Sequence, residues 1–163
     1  MSPGSEDVEV IIGRLLTARE LTLAVAESCT GGLIGHYVTN VPGSSGYFRG
    51  SITAYAYDVK ETLLSVSQAT LDEHGAVSAP TARQMAEGVR RAVGADVGIS
   101  ATGIAGPGGG MPEKPVGLVY VALSAEDGVW VEWQVFHGDR WEDKASSAEA
   151  ALDLLRRYLE GSL

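Results

Sequence analysis

LTLAVAESCTGGLIGHYVT, residues 21–39, decides the fold. Its opening, Leu21 to Ala26, is short and apolar and runs into a polar turn with two glycines, the pattern of a strand buried on both faces. From Gly32 to Thr39 the apolar spacing turns helical. Strand, glycine turn and helix in that order form the opening unit of an α/β sheet.

Working outward, Glu6 to Arg19 places Val8, Ile11, Ile12, Leu15 and Leu16 at helical spacing, which predicts an amphipathic helix ahead of the strand, with residues 1–5 as a frayed tail. Asn40 to Ser45 is turn chemistry, and the aromatic and β-branched run from Tyr47 to Tyr55 reads as a second strand. Helical pieces follow at Asp58 to Ser65 and Ala69 to His74, the latter stopped by Gly75. Ser78 is an N-cap for a long helix to Val93, with Pro80 in its first turn and Gly94 beyond its end. Ala95 to Thr102 is a third strand. Val116 to Leu123 and Val129 to His137 form an antiparallel hairpin about Glu126-Asp127-Gly128, and a last helix runs from Arg140 to Leu159. The order predicts a three-layer α/β/α sandwich on a mixed, partly parallel sheet of about five strands, with an antiparallel C-terminal hairpin and one domain over residues 1–163.

The 163 residues are 45% hydrophobic, enough to bury roughly two thirds of the unfolded surface without a crosslink. Cys29 is the one cysteine, so no internal disulfide forms and a reducing compartment suits the chain. No apolar run reaches the ~20 residues that span a bilayer, and the N-terminus is acidic where a secretion signal is basic, so a cytoplasmic protein without membrane contact is expected. A net charge of -9 opposes nucleic-acid binding across a broad cationic surface. Lys60, Lys114, Arg140 and Lys144 are either solvated or gathered into a local pocket for a small anion.

Ligands of open α/β sheets collect beyond the carboxyl ends of parallel strands. Two glycine-rich segments leave strands there: Ala26 to Gly32, and Thr102 to Gly110. In the first, Ser28, Cys29 and Thr30 supply two hydroxyls and a thiol, and Gly31 and Gly32 let the backbone approach a ligand or an oxyanion. An ordinary helix N-cap on Ser28 or Thr30 would need one hydroxyl and would not call for paired glycines. The second segment matches neither a P-loop nor a dinucleotide fingerprint, and is either a ligand loop or a surface loop. His36, His74 and His137 are isolated, so a metal-independent site without a cofactor is expected. No histidine stands in a triad arrangement, which leaves Lys60 as the base able to activate Ser28, provided burial or a cation such as Arg140 lowers its pKa from about 10.4 by roughly 2 to 3 units.

At these residues the sequence resembles the C-terminal domain of the CinA competence/damage-inducible proteins, whose stand-alone members are nicotinamide mononucleotide (NMN) deamidases. The resemblance rests on AESCTGG (26–32), VPGSSGYFRGSITAY (41–55) with Lys60 beyond it, HGAVS (74–78), ATGIAGPGGG (101–110), KPVGLVYVAL (114–123) and FHGDR (136–140). It implies an amidohydrolase that turns NMN and water into nicotinate mononucleotide and ammonia, in pyridine nucleotide recycling. Ser28 falls on the nucleophile and Lys60 on the base, with Tyr55 beside them in the catalytic set. Cys29, Thr30, Gly31, Gly32, Thr102, Gly103, Gly106 and Arg140 are the expected substrate-binding residues, with backbone N–H groups near Cys29 to Gly31 as the oxyanion donors. The nucleotide-hydrolysing domain of two-domain members has no counterpart in these residues, and that activity is expected to be absent. Two positions depart from the family: Tyr55-Ala56-Tyr57 replaces Tyr-Ser-Asn or Tyr-Asn-Asn, and Lys144 stands where many relatives place an arginine. A homo-oligomer, dimer or higher, is expected; Tyr47, Phe48, Trp130, Trp133 and Trp141 supply either its interface or the core. The rival reading is a nucleotide-binding module without turnover.

Overall fold

The computed structural model describes residues 6–163, so the expected frayed tail lies outside the described residues. The elements run α1 (Val8–Arg19), β1 (Leu23–Glu27), α2 (Leu33–Thr39), β2 (Phe48–Thr53), α3 (Tyr57–Leu64), α4 (Gln68–His74), α5 (Ala79–Val93), β3 (Val97–Gly103), β4 (Leu118–Ala125), β5 (Gly128–Val135) and α6 (Arg140–Leu159), with a short 3-10 turn at Ser44–Gly46. The sheet order is β2-β1-β3-β4-β5. β1 pairs in parallel with β2 and β3, while β4 and β5 close the sheet antiparallel. The expected mixed sheet with its C-terminal hairpin is therefore the one observed.

β1 lies between two parallel neighbours and between two helical layers, so all five of its residues are buried. Its alternate side chains separate the layers. Val25 joins Ile12, Leu16, Ile34, Val38, Leu152 and Leu155, which puts α1, α2 and α6 on one face. Ala24 and Ala26 join Leu64, Leu71, Met85 and Val89, which puts α3, α4 and α5 on the other. The small alanines let that second layer come close to the strands.

Local chemistry sets the helix ends. Ser78 accepts from the Thr81 N–H at the start of α5, and Gly94 closes it in the left-handed region at φ 71°. At α6, Asp139 accepts from the Glu142 N–H while Glu142 accepts from the Asp139 N–H, a reciprocal capping box. The strands differ from expectation at their ends. β1 begins two residues later and takes in Glu27, because the ladder to Ala101 and Thr53 continues through it. β2 stops at Thr53, short of Tyr55, and the hairpin tightens until Ala125 faces Gly128. Tyr47 is buried, and the Trp130 ring packs 5.3 Å from that of Tyr158, so these aromatics serve the core. Trp133 and Trp141 are exposed. Among the described residues no helix is long and apolar enough to cross a membrane.

Gly88 brings α5 against the end of α3, where an added Cβ would drive into the Leu64 carbonyl group. Since backbone on both sides leaves no side chain to yield, Gly88→Ala is expected to cost about 3 kcal/mol. A drop in the urea midpoint at unchanged slope measures this.

Candidate active site

β1 ends at Glu27, and its ladder bonds run one step further: the Ser28 N–H donates to the Ala101 carbonyl at 3.0 Å, and the Ala54 N–H donates to the Glu27 carbonyl at 2.8 Å. Ser28 is thus held at the carboxyl end of the central parallel strand, with the ends of β2 and β3 on either side. Lys60 reaches it from the first turns of α3. Its Nζ lies 3.0 Å from Ser28 Oγ, 2.8 Å from the Ala54 carbonyl oxygen and 2.7 Å from the Tyr55 carbonyl oxygen. Lys60 has no exposed surface and Ser28 keeps 8% of its own.

As an ammonium Lys60 donates one N–H to each of the three oxygens, and loss of one proton leaves a neutral amine that the same contacts still satisfy. In the neutral form two N–H groups donate to the two carbonyls, and the lone pair faces the Ser28 hydroxyl, which can then donate to it. Burial pushes the amine down from 10.5 to about 8, opposed only by the nearby Cys29. Arg140, expected to help lower it, does not act there: its guanidinium donates to the Gly106 carbonyl at 2.7 Å, tying α6 to the second loop. Desolvation alone accounts for the shift.

Cys29 offers a second nucleophile beside the first, and its surroundings disarm it. Burial pushes the thiol up to about 12, Glu27 adds to the rise, and the Cys29 N–H, Lys60 and Lys144 only partly oppose it. At neutral pH the sulfur therefore keeps its proton. Ser28 and the buried Lys60 are therefore the candidate reacting pair.

The substrate-binding set divides. Thr30 is buried and donates its hydroxyl to Glu27 at 2.7 Å, and the Gly32 N–H donates to the same carboxylate at 3.2 Å. The Gly31 N–H donates to the Ser28 carbonyl at 3.1 Å, which removes it from the expected oxyanion donors. Among the described residues no oxygen accepts from the N–H of Cys29 or Thr30, so those two remain. Thr102 donates to the Ala76 carbonyl at 2.8 Å and anchors the His74 to Ser78 segment. Gly103 is the last residue of β3. Gly106 sits at φ 80° with Val116 where a Cβ would go, so packing within the loop requires this glycine. Tyr55 gives Lys60 its carbonyl and is itself 63% exposed. Tyr57, one of the family departures, accepts from the Ala76 N–H at 3.2 Å.

Of the four cations, Lys60 and Lys144 both act on Cys29, and the Lys144 amine lies 3.7 Å from where a Cβ on Gly31 would stand. Lys114 is elsewhere, donating to the His74 carbonyl. It lines a cleft of about 650 Å³ with Tyr57, His74, Ser78 and Tyr120, a cleft that neither Ser28 nor Lys60 lines.

Glu27 is the residue the sequence reading missed. Its carboxylate, with no exposed surface, accepts from Thr30 Oγ1 and from the N–H groups of Gly32, Ile34 and Gly35 at 2.7 to 3.2 Å. The α2 N-terminus is capped by this carboxylate, not by Ser28 or Thr30. The signal lay in the sequence as a carboxylate directly after an apolar strand and just before the helix whose first N–H groups it takes.

A family model described as the CinA C-terminal domain matches residues 5–159. A CinA-like protein of Salinibacter ruber is 51% identical over 156 residues, covering 96% of this chain. The chain spans about 38% of the length of the curated relatives it matches. Among solved structures, the competence/damage inducible protein CihA from Agrobacterium tumefaciens superposes with a TM-score of 0.89 at 39% identity, covering 98% of this chain and 99% of that one. The competence damage-inducible protein A (ComA) from Klebsiella pneumoniae superposes with a TM-score of 0.91 at 29% identity, covering 94% and 95%.

A lysine with a lowered folded pKa makes stability depend on pH with a definite sign. Between about 8 and 10.5 the unfolded chain holds a proton that folded Lys60 has released, so stability rises with pH across this window. Below it, the full burial cost of about 3 kcal/mol applies. Lys60→Met is expected to lose this rise, measured as the difference between wild-type and variant unfolding free energies at pH values spanning the window.

Proposed function

We propose that this chain, which belongs to the CinA C-terminal domain family, hydrolyses the carboxamide of NMN to nicotinate mononucleotide and ammonia. The observation that carries the reading is the 3.0 Å contact between a buried, deprotonatable Lys60 amine and the Ser28 hydroxyl. In the proposed mechanism Ser28 Oγ attacks the carboxamide carbon while its proton passes to the Lys60 lone pair. The oxyanion that forms accepts from the N–H groups of Cys29 and Thr30. Lys60 then returns the proton to the amide nitrogen, the C–N bond breaks and ammonia leaves an acyl-Ser28. Water attacks this ester, Lys60 takes its proton and passes it back to Ser28 Oγ, and the acid departs. Arg140, Lys144 and the Gly103 to Gly110 loop hold the ribose phosphate and so orient the carboxamide.

One observation favours the reading without turnover, in which the domain binds a mononucleotide and releases no product: Ser28 is only 8% exposed. Ammonia release decides between the two. Wild type should produce ammonia and nicotinate mononucleotide from NMN, while Ser28→Ala and Lys60→Ala each lower turnover roughly 1,000-fold. Undiminished turnover in either variant removes the role assigned to that residue, and saturable binding without ammonia from wild type supports the module.

The pH profile is a second check. Only neutral Lys60 can accept the Ser28 proton, so kcat/KM should rise about tenfold per pH unit in the acid limb and level off above about 8. Lys60→Arg, whose guanidinium stays protonated, should show no such limb and no activity.

A further inference from the structure

We infer that Glu27 is the positioning residue of this site: its buried carboxylate holds the Ser28 to Gly32 turn in the shape that aims the Ser28 hydroxyl at Lys60. The inference rests on the reading of Ser28 and Lys60 as the reacting pair. Two independent sets of bonds carry it. The side chain gathers four donors from the turn and the first residues of α2, Thr30 Oγ1 at 2.7 Å, Gly32 N at 3.2 Å, Ile34 N at 2.9 Å and Gly35 N at 3.0 Å. The main chain does the rest. The Glu27 carbonyl accepts from the Ala54 N–H, and the Ala54 carbonyl in turn accepts from Lys60 Nζ. Nucleophile and base are therefore referred to one residue, Ser28 through a peptide bond and Lys60 through a single intervening residue, Ala54.

Hydrogen bonds to a carboxylate are about twice as strong as those between neutral groups, and a buried one cannot exchange them for water. Four together leave the turn little freedom to rotate Ser28 away. The space is equally restricted. A Cβ on Gly35 would stand 2.9 Å from Ser51 Oγ and 3.5 Å from Glu27 Oε2, so a larger residue at 35 would press on Ser51 at this approach. Glu27→Gln keeps the shape but turns one acceptor into a donor that faces either the Gly35 N–H or the group of three, and the turn must shift to relieve it. Displacements of about 1 Å in a reacting group cost on the order of 100-fold in rate.

The test reads position and turnover separately. The chain has three lysines, 60, 114 and 144, so carbon-13 labelling at lysine Cε resolves the Lys60 titration without any substrate. Ser28→Ala supplies the reference for a Lys60 that has lost its hydroxyl partner. Glu27→Gln is expected to move the Lys60 resonance and titration midpoint toward those of Ser28→Ala, and to lower kcat for ammonia release from NMN about 30-fold, with KM changed less than threefold. A folded Glu27→Gln protein whose Lys60 titrates as in wild type, or whose kcat is unchanged, overturns the inference. If wild type releases no ammonia, the proposed reaction fails while the titration still decides the role of Glu27. If Glu27→Gln does not fold, Thr30→Val removes one of the four donors and must move the Lys60 resonance in the same direction by a smaller amount. An unmoved resonance in that variant overturns it too.

Discussion

A lysine amine without exposed surface needs a partner for every hydrogen and lone pair, and the site is built around meeting that requirement for Lys60. The partners are the carbonyls of Ala54 and Tyr55 and the hydroxyl of Ser28. Both carbonyls are free because β2 stops pairing at Thr53, and Lys60 can turn back on them because α3 begins at Tyr57. The early end of β2 is thus a condition for the site. So is the parallel register that brings Glu27 opposite Thr53, since it sets Ser28 beside the end of the neighbouring strand.

The outer layers serve that arrangement. α5 packs so closely that Gly88 touches the carbonyl ending α3, fixing the helix that carries Lys60. On the opposite face the capping box fixes where α6 begins, and with it the link from Arg140 to Gly106 and the place of Lys144 above Gly31. Thr102 and Tyr57 hold Ala76 from its two sides, carbonyl and N–H, so the His74 to Ser78 segment is joined both to the end of β3 and to the start of α3. The loops around Ser28 are therefore tied to three strands and to both helical layers.

The elements were most legible where their ends depend on local chemistry. α6 spans Arg140 to Leu159 as expected, and Ser78, Gly75 and Gly94 stand at the helix ends where they were expected. Strand ends were less so, because pairing partners far along the chain decide how long a ladder runs. The same limit explains Glu27. Read in isolation it is a charged residue after a strand, and its burial becomes evident only once α2 folds back over it. The cause of the lysine shift was legible in part: residue type pointed to a lowered pKa, but the guanidinium expected to assist is committed to another loop.

By itself the sequence determined the α/β class and the two glycine-rich turns beyond the parallel strands, and it offered a serine and a lysine as candidates for the site. These follow from residue type and from periods of two and 3.6, which neighbours in the chain decide among themselves. Only the tertiary structure decided that the amine is dry, that two specific carbonyls take its hydrogens, that the adjacent thiol stays protonated and that a carboxylate closes the first turn. Burial and hydrogen-bond partners are relations between segments up to tens of residues apart, so they come into existence with the packing and not before it.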